Sequence, residues 1–242
     1  MLSLISPSVI LRLLNVLVLE KSLIVYGQNV SMVTAVTIAI MGFLKPFQWQ
    51  GVFIPLVPPN AMEILGAPVP FIVGTCCEIS KIEMSPNAAL LNLDSLFNLM
   101  TGALLEMPDI SVLMPLDQEL RTTIGIATKI LSDRLPVKNI HEIQLSTFLT
   151  DLTDVEKGAI RDVMSAVEQH NTMFCGDLVV ADAWRRYGTY NPTTGDFEFY
   201  QEWFLDHQRS VLEFQDVVVH TQLFVSYVDK LRTDYVAKNF YR

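Results

Sequence analysis

The sequence predicts an α/β architecture followed by an all-α one: a mainly parallel sheet layered between helices, then a C-terminal helical subdomain. Three observations carry this. Residues 1–110 alternate helix-like and strand-like apolar segments, the pattern of crossover units with a covered sheet. Prolines stand at helix ends and in or before the strand-like segments, not inside the helix-like ones. Charge is uneven: residues 1–110 hold four Lys/Arg and seven Asp/Glu, and residues 111–242 hold thirteen and nineteen. The first stretch is therefore mostly interior, and the second is amphipathic and solvent-exposed.

Taken in order, Ser6-Pro7 reads as an N-cap followed by proline at the first helical position. The helix runs to about Glu20 on a wide apolar face that includes Leu11, Leu14 and Val18. Leu23–Tyr26 is a short strand stopped by Gly27. Ser31 is placed to cap a second helix, Met32–Leu44, which is apolar nearly all round and so expected to be buried. Lys45-Pro46 ends it, because the residue before proline avoids the helical region. Val52–Val57 reads as a strand, and Pro55 within it marks a sheet edge, a bulge or the strand's end. Pro58-Pro59 forces a turn, and Asn60–Leu65 supplies one or two helical turns. Ala67-Pro68-Val69-Pro70 is extended and feeds the strand Phe71-Ile72-Val73, closed by Gly74. Ala88–Leu93 is a further strand.

From Leu116 the pattern becomes helical: Leu116–Leu131, Ile140–Phe148, and Val155–Glu168 behind Thr153 or Asp154 as cap. Arg185–Asp196 is rich in turn residues and reads as a surface loop. Two amphipathic helices close the chain, Tyr200–Asp216 and Val218–Arg232. Leu223, Phe224, Tyr227, Val228 and Leu231 form the inner stripe of the last.

Several function classes are excluded. A net charge of −9 without a Lys/Arg cluster argues against nucleic acid as a partner. Three cysteines are too few for a disulfide framework, and adjacent Cys76 and Cys77 fit a buried strand end in a reducing compartment. Ser22–Leu44 lacks charge, but Gly27, Gln28, Asn29 and Ser31 interrupt it, and Met32–Leu44 is too short for a transmembrane segment. Met1–Pro7 has no basic stretch of a signal peptide.

Catalytic motifs are missing as well. No two of the eleven glycines stand two apart, so G-x-G-x-x-G is absent, as are the P-loop and the G-x-S-x-G elbow. His141-Glu142 lacks the second histidine of a zinc protease, and the four histidines read as isolated surface or core residues. Asn92-Leu93-Asp94 stands at a strand's carboxyl end, where α/β folds place functional carboxylates, though a strand-end turn needs the same residues. No catalytic residue, cofactor-binding residue or metal ligand is assigned, and no cofactor is expected. The pattern favours a protein–protein interaction function.

Four elements in order resemble the central part of a DENN domain: the leucine-rich step Val16-Leu17-Val18-Leu19-Glu20 before a strand, Pro46-Phe47-Gln48-Trp49, Ile54-Pro55-Leu56-Val57-Pro58, and Ala67-Pro68-Val69-Pro70-Phe71-Ile72-Val73-Gly74. Phe199–Arg232, with Phe204 and Thr221-Gln222-Leu223-Phe224, resembles the family's downstream helical part. Residues 84–175 match loosely, and Asn92 stands where the family often has aspartate. The resemblance implies a central α/β region over residues 1–135 and a downstream helical region over 136–242. It also implies that the longin-like lobe with which a complete DENN module opens lies outside this chain, either on another chain or missing.

The function implied is guanine nucleotide exchange on a Rab-type small GTPase, in a cytoplasmic protein peripheral to trafficking membranes. The alternative is a non-catalytic DENN-like scaffold or partner-binding fragment. Stimulated GTP hydrolysis, as a third reading, needs an arginine finger, for which Arg185 and Arg186 are the loop arginines at hand. Expected partner-binding residues are Gln48, Trp49 and Glu63, on loops and turns beside the strands, and Asp94 at a strand end. An apolar surface meant for the longin-like lobe would be left exposed here and favour self-association.

Overall fold

The computed structural model describes residues 2, 5–78, 85, 87–96, 105–106, 112–115, 117–132, 152–180, 183–191, 193–194, 196–208 and 213–240. The chain opens with α1 (Pro7–Val18). Proline sits at its start, and Ser6 has the extended backbone of a capping residue. The Ser6 hydroxyl, however, turns to Ser8 Oγ at 3.1 Å and caps no backbone N–H. β1 (Ser22–Tyr26) follows, then α2 (Val30–Ile40), which runs on as a 3-10 turn, Met41–Leu44. Asn29, not Ser31, caps α2: its Oδ1 accepts from the Met32 N–H at 3.0 Å. Asparagine with an extended backbone does this as well as serine, and it lies two residues earlier.

The expectation that this helix is buried all round fails. Met32, Val33, Val36, Thr37 and Ile40 face inward, while Val30 and Ile38 are about half exposed. A helix at one face of a sheet has an outer side whatever its sequence.

β2 is shorter than expected, Val52–Ile54, and β3 is longer, Phe71–Thr75. β2 is an edge strand ended by Pro55, which has no N–H to donate. The chain nonetheless stays beside β3, since the Val57 N–H donates to the Gly74 carbonyl at 2.7 Å. Gly74 continues β3 rather than closing it. A side chain there would run into the Pro55 carbonyl oxygen and into Val33 and Thr37 of α2, so glycine permits the close approach. Between β2 and β3 lies the 3-10 segment Pro59–Gly66.

β4 (Ala88–Asn92) and the two-residue β5 (Leu105–Glu106), which the sequence did not suggest, complete a sheet of order β2-β3-β1-β4-β5. The first four strands are parallel: Leu23 is level with Ile72 on one side and Ala89 on the other, and Val52 with Phe71. β5 is antiparallel to β4.

Alternation sends successive residues to opposite faces. Leu23, Val25, Ile72, Ala89 and Leu91 enter a large core with α1 and α2. Ile24, Phe71, Val73 and Leu90 enter a small one under the Pro59–Gly66 segment, whose Leu65 is fully buried.

The large core continues into the rest of the chain. α3 (Gln118–Ser132) begins where Asp117 Oδ1 accepts the Glu119 N–H at 2.8 Å. α4 (Asp154–Thr172) starts with a complete capping box: the Thr153 side chain accepts from the Glu156 N–H, and the Glu156 carboxylate accepts from the Thr153 N–H at 2.7 Å. The expected helix over Ile140–Phe148 and the expected division at residues 135–136 fall outside the described residues.

Arg185–Asp196 is not simply a loop. After a 3-10 turn, Ala183–Tyr187, β6 (Gly188–Tyr190) pairs antiparallel with β7 (Phe197–Phe199). Asn191 Oδ1 accepts the Thr193 N–H at 2.9 Å at the hairpin's tip. The expected helix Tyr200–Asp216 is two shorter ones, α5 (Gln201–His207) and α6 (Glu213–Val218).

α7 (Gln222–Phe240) starts four residues later than expected. Its start is fixed by Thr221, whose Oγ1 accepts the Phe224 N–H at 3.2 Å, and by Glu20. Glu20, held in the left-handed region at φ 51°, turns its carboxylate onto the helix: Oε2 accepts the Gln222 N–H at 2.7 Å and Oε1 the Leu223 N–H at 3.0 Å. A carboxylate at a helix N-terminus satisfies two orphan donors and meets the positive end of the dipole. Burial pushes the Glu20 carboxyl above its ordinary pKa, against the lowering effect of these two bonds.

Two further ties join distant parts of the chain. Asn171 Nδ2 donates to the Phe43 and Lys45 carbonyls at 2.9 and 2.7 Å, and Phe47 meets Tyr227 edge to face at 5.6 Å. The stripe expected on the last helix is present: Leu223, Phe224 and Val228 are buried, and Tyr227 and Leu231 half-buried.

Candidate functional site

With four parallel strands, the two ends of the sheet differ chemically. The connection leaving β1 passes over the large core as α2. The connection leaving β3 reaches Ser85, whose N–H donates to Leu65 on the opposite face. Neighbouring strands whose exits diverge in this way open a crevice at their carboxyl ends, where ligands of open α/β sheets bind.

Here that end is built from Tyr26, Gly27 and Gln28 after β1, Cys76 and Glu78 after β3, and Asn92 to Asp94 after β4. Asn92 Oδ1 accepts the Asp94 N–H at 3.1 Å and the Ser95 N–H at 3.4 Å, forming the first turn of the 3-10 segment Leu93–Leu96. Asparagine therefore fills the capping role of this position as well as an aspartate would. Leu93 is buried as the anchor of the turn.

Asp94 is oriented by this turn: its Oδ1 accepts the Gln28 N–H at 3.0 Å. Gly27 makes room, since a side chain on it would lie 3.2 Å from Leu93 Cβ and 3.3 Å from Asp94 Oδ1.

The electrostatics are those of a carboxylate-rich rim. Burial first, then the charges of Asp94 and Glu78, raise the pKa of the Tyr26 phenol. Burial, Cys77 and Asp94 raise that of the Cys76 thiol. Cys76 is thus a protonated thiol at neutral pH, and Tyr26 a neutral hydroxyl. Cys76 and Cys77 are half-buried beyond the strand end rather than buried within it. Among the described residues, no group of three His, Cys, Asp or Glu is placed to hold a metal ion. The end of the sheet can accept hydrogen bonds and oppose a positive charge.

The four expected partner-binding residues do not form one site. Asp94 lies at the carboxyl end. Glu63 is exposed on the Pro59–Gly66 segment, next to Met62, whose sulfur accepts from Thr75 Oγ1 at 3.5 Å at the end of β3. Gln48 and Trp49 precede β2 and so stand at the amino end, a strand length of about 17 Å away. Gln48 is exposed. Trp49 is half-buried, and its indole N–H donates to the Val52 carbonyl at 3.1 Å, holding the entry to β2.

Arg185 and Arg186 are already engaged. Arg185 lies 4.5 Å from the Tyr235 ring centroid, and Arg186 Nη1 lies 3.3 Å from Asp177 Oδ2. Sequence reasoning did not single out Tyr26, Gln28 or Glu78. Their common signal is position immediately at or after an apolar strand, which becomes informative only once the strands are known to be parallel.

Residues 1–98 match the family model of the DENN (AEX-3) domain. DENN domain-containing protein 2B of Mus musculus and of Homo sapiens are each 32% identical to the chain over 89 residues. The similarity covers 36% of this chain and 8% of each relative's length. No helix among the described residues is long and apolar enough to cross a membrane.

Proposed function

We propose that this chain supplies the central and downstream parts of a DENN module, divided at about residue 135. On this reading it acts as a guanine nucleotide exchange factor for a Rab-family GTPase in membrane trafficking. The observation that carries the reading is the DENN match over residues 1–98, the segment that builds the four-stranded parallel sheet. Exchange makes and breaks no covalent bond. The factor must bind the nucleotide-free GTPase better than the loaded one, and reciprocity then weakens nucleotide binding by the same factor. A nucleotide held near picomolar is bound by about 16 kcal/mol, so its release requires a broad interface rather than one residue.

Within that interface, Asp94 and Glu63 present carboxylates at one end of the sheet, and Gln48 presents an amide at the other. A longin-like lobe completes the surface, whether carried on another chain or joined to this one.

The test is release of a fluorescent guanine nucleotide from a panel of Rab GTPases, with this chain alone and with a longin-like lobe added. Acceleration for one or a few Rabs is expected. Asp94→Ala should slow it about tenfold, a loss of about 1.4 kcal/mol, while leaving the melting temperature nearly unchanged. If no Rab responds in either arrangement, exchange is excluded and a partner-binding scaffold takes its place.

A further inference from the structure

The chain has three tryptophans, and they are used differently. Trp184 is buried against Phe197. Trp49 is half-buried and hydrogen-bonded. Trp203 is 46% exposed, and among the described residues its indole N–H has no protein acceptor. It lies on α5, whose inward side is set by fully buried Phe204.

At about 100° per residue, Glu202, Trp203 and Asp206 all fall on the outward side of that helix. Beside it stands the outer face of the hairpin. There the hydrogen bonds can run in only one order, because a phenol has one proton and a carboxylate none. Thr189 Oγ1 donates to Tyr200 Oη at 2.9 Å, and Tyr200 Oη donates to Glu198 Oε2 at 3.0 Å. The chain fixes the Tyr200 ring, and the indole of Trp203 packs on it at 4.7 Å between centroids.

The result is an exposed aromatic step accompanied by three carboxylates: Glu198, bonded to Tyr200, and Glu202 and Asp206 on the outward side of the helix that carries Trp203. Glu202 and Asp206 are exposed, and among the described residues no cation pairs with any of the three carboxylates. His207 does not fill the role: its Nδ1 bonds the Trp203 carbonyl at 2.8 Å, and its ring packs on Tyr187.

We propose that this face of the hairpin and α5 is a docking surface for an arginine-bearing basic peptide segment of a partner protein. Three features fit that chemistry. An exposed indole face attracts a cation, and arginine stacks on it as a plane. The accompanying carboxylates receive guanidinium N–H groups in pairs. The step is held by its own hydrogen-bond chain before any partner arrives, so little is left to order on binding. The surface lies outside the DENN-matched residues 1–98 and does not depend on nucleotide exchange.

The test uses the whole chain and a fluorescein-labelled nonapeptide of alternating arginine and glycine, followed by anisotropy in 150 mM salt. Saturable binding is expected, with no binding of a serine–glycine peptide. Trp203→Ala should weaken it at least tenfold, and Trp203→Phe, which keeps a ring, by no more than about threefold. The triple variant Glu198→Gln, Glu202→Gln, Asp206→Asn should weaken it at least tenfold. The control is Glu119→Gln, Asp162→Asn, Glu168→Gln, which removes the same charge from α3 and α4 and should change affinity less than twofold. Thermal melts of all variants should coincide with that of the parent protein. Absence of saturable binding, or equal loss in the two triple variants, would overturn the proposal, the latter by reducing the effect to net charge.

Discussion

Leu90 and Leu91 are neighbours on β4, yet they enter different interiors. Leu91 is fully buried in the core that takes α1, α2, α3, α4 and α7. Leu90 retains slight exposure under the Pro59–Gly66 segment, in a smaller core that among the described residues also holds Ile24, Val57, Leu65, Phe71 and Val73, rimmed by partly buried Ile54, Met62 and Ile64. One face of the sheet is thus the centre of the molecule, and among the described residues the Pro59–Gly66 segment covers the other. Depth of cover, not hydrophobicity of the strand, decides how much each side chain contributes. The thick face belongs to both ends of the chain, since residues 11–47 and 163–228 share it.

The largest effect is expected from the pair Leu91→Ala and Leu90→Ala, measured by urea unfolding. Leu91→Ala should cost about 4 kcal/mol, because its surroundings cannot close on the cavity, and Leu90→Ala about 2 kcal/mol, because a thin cover can settle. Equal losses would mean that the two faces are equally well filled.

Next comes Asn171→Ala, which strips the buried Phe43 carbonyl and the part-buried Lys45 carbonyl of their shared donor, just beyond the end of α2. A loss of about 2 kcal/mol is expected by the same measurement. Glu20→Ala should cost about 1 kcal/mol by leaving the first N–H groups of α7 without their acceptor, with faster amide exchange at Gln222 and Leu223 as its local signature.

The smallest effect is a pH dependence. His170 is buried in the thick core, with Nδ1 3.5 Å from Asp117 Oδ2, and burial outweighs that carboxylate to lower its pKa below the ordinary 6.5. The unfolded chain then binds the proton more tightly. Stability from this group is complete above pH 6.5 and is lost as pH falls through the lower folded value. The urea midpoint should therefore decline below pH 6.5, and in His170→Leu the part of that decline due to this residue should vanish.

Much of the fold was legible because local chemistry agreed with tertiary structure. Thr153 and Glu156 announce the start of α4 by themselves, and Pro55 marks both the edge and the end of β2. Departures arose where a distant partner decided. Gly74 reads as a strand terminator until α2 and Pro55 are seen pressing on it. The start of α7 is fixed by a residue about two hundred positions away. The hairpin was hidden because its strands are three residues each and the turn between them dominates the composition. At the candidate site, Asp94 was legible as a strand-end carboxylate. Its separation from Gln48 and Trp49 was not, because only the shared direction of the strands puts them at opposite ends.

The bond between Glu20 and α7 also sets an order of events during synthesis. At about 5–20 residues per second, residues 222 and 223 follow Glu20 from the ribosome by about 10–40 s. Through that interval the nascent chain holds a carboxylate with no helix to cap and an apolar α1 without its C-terminal cover. A helix made about two hundred residues later is thus the latch on α1.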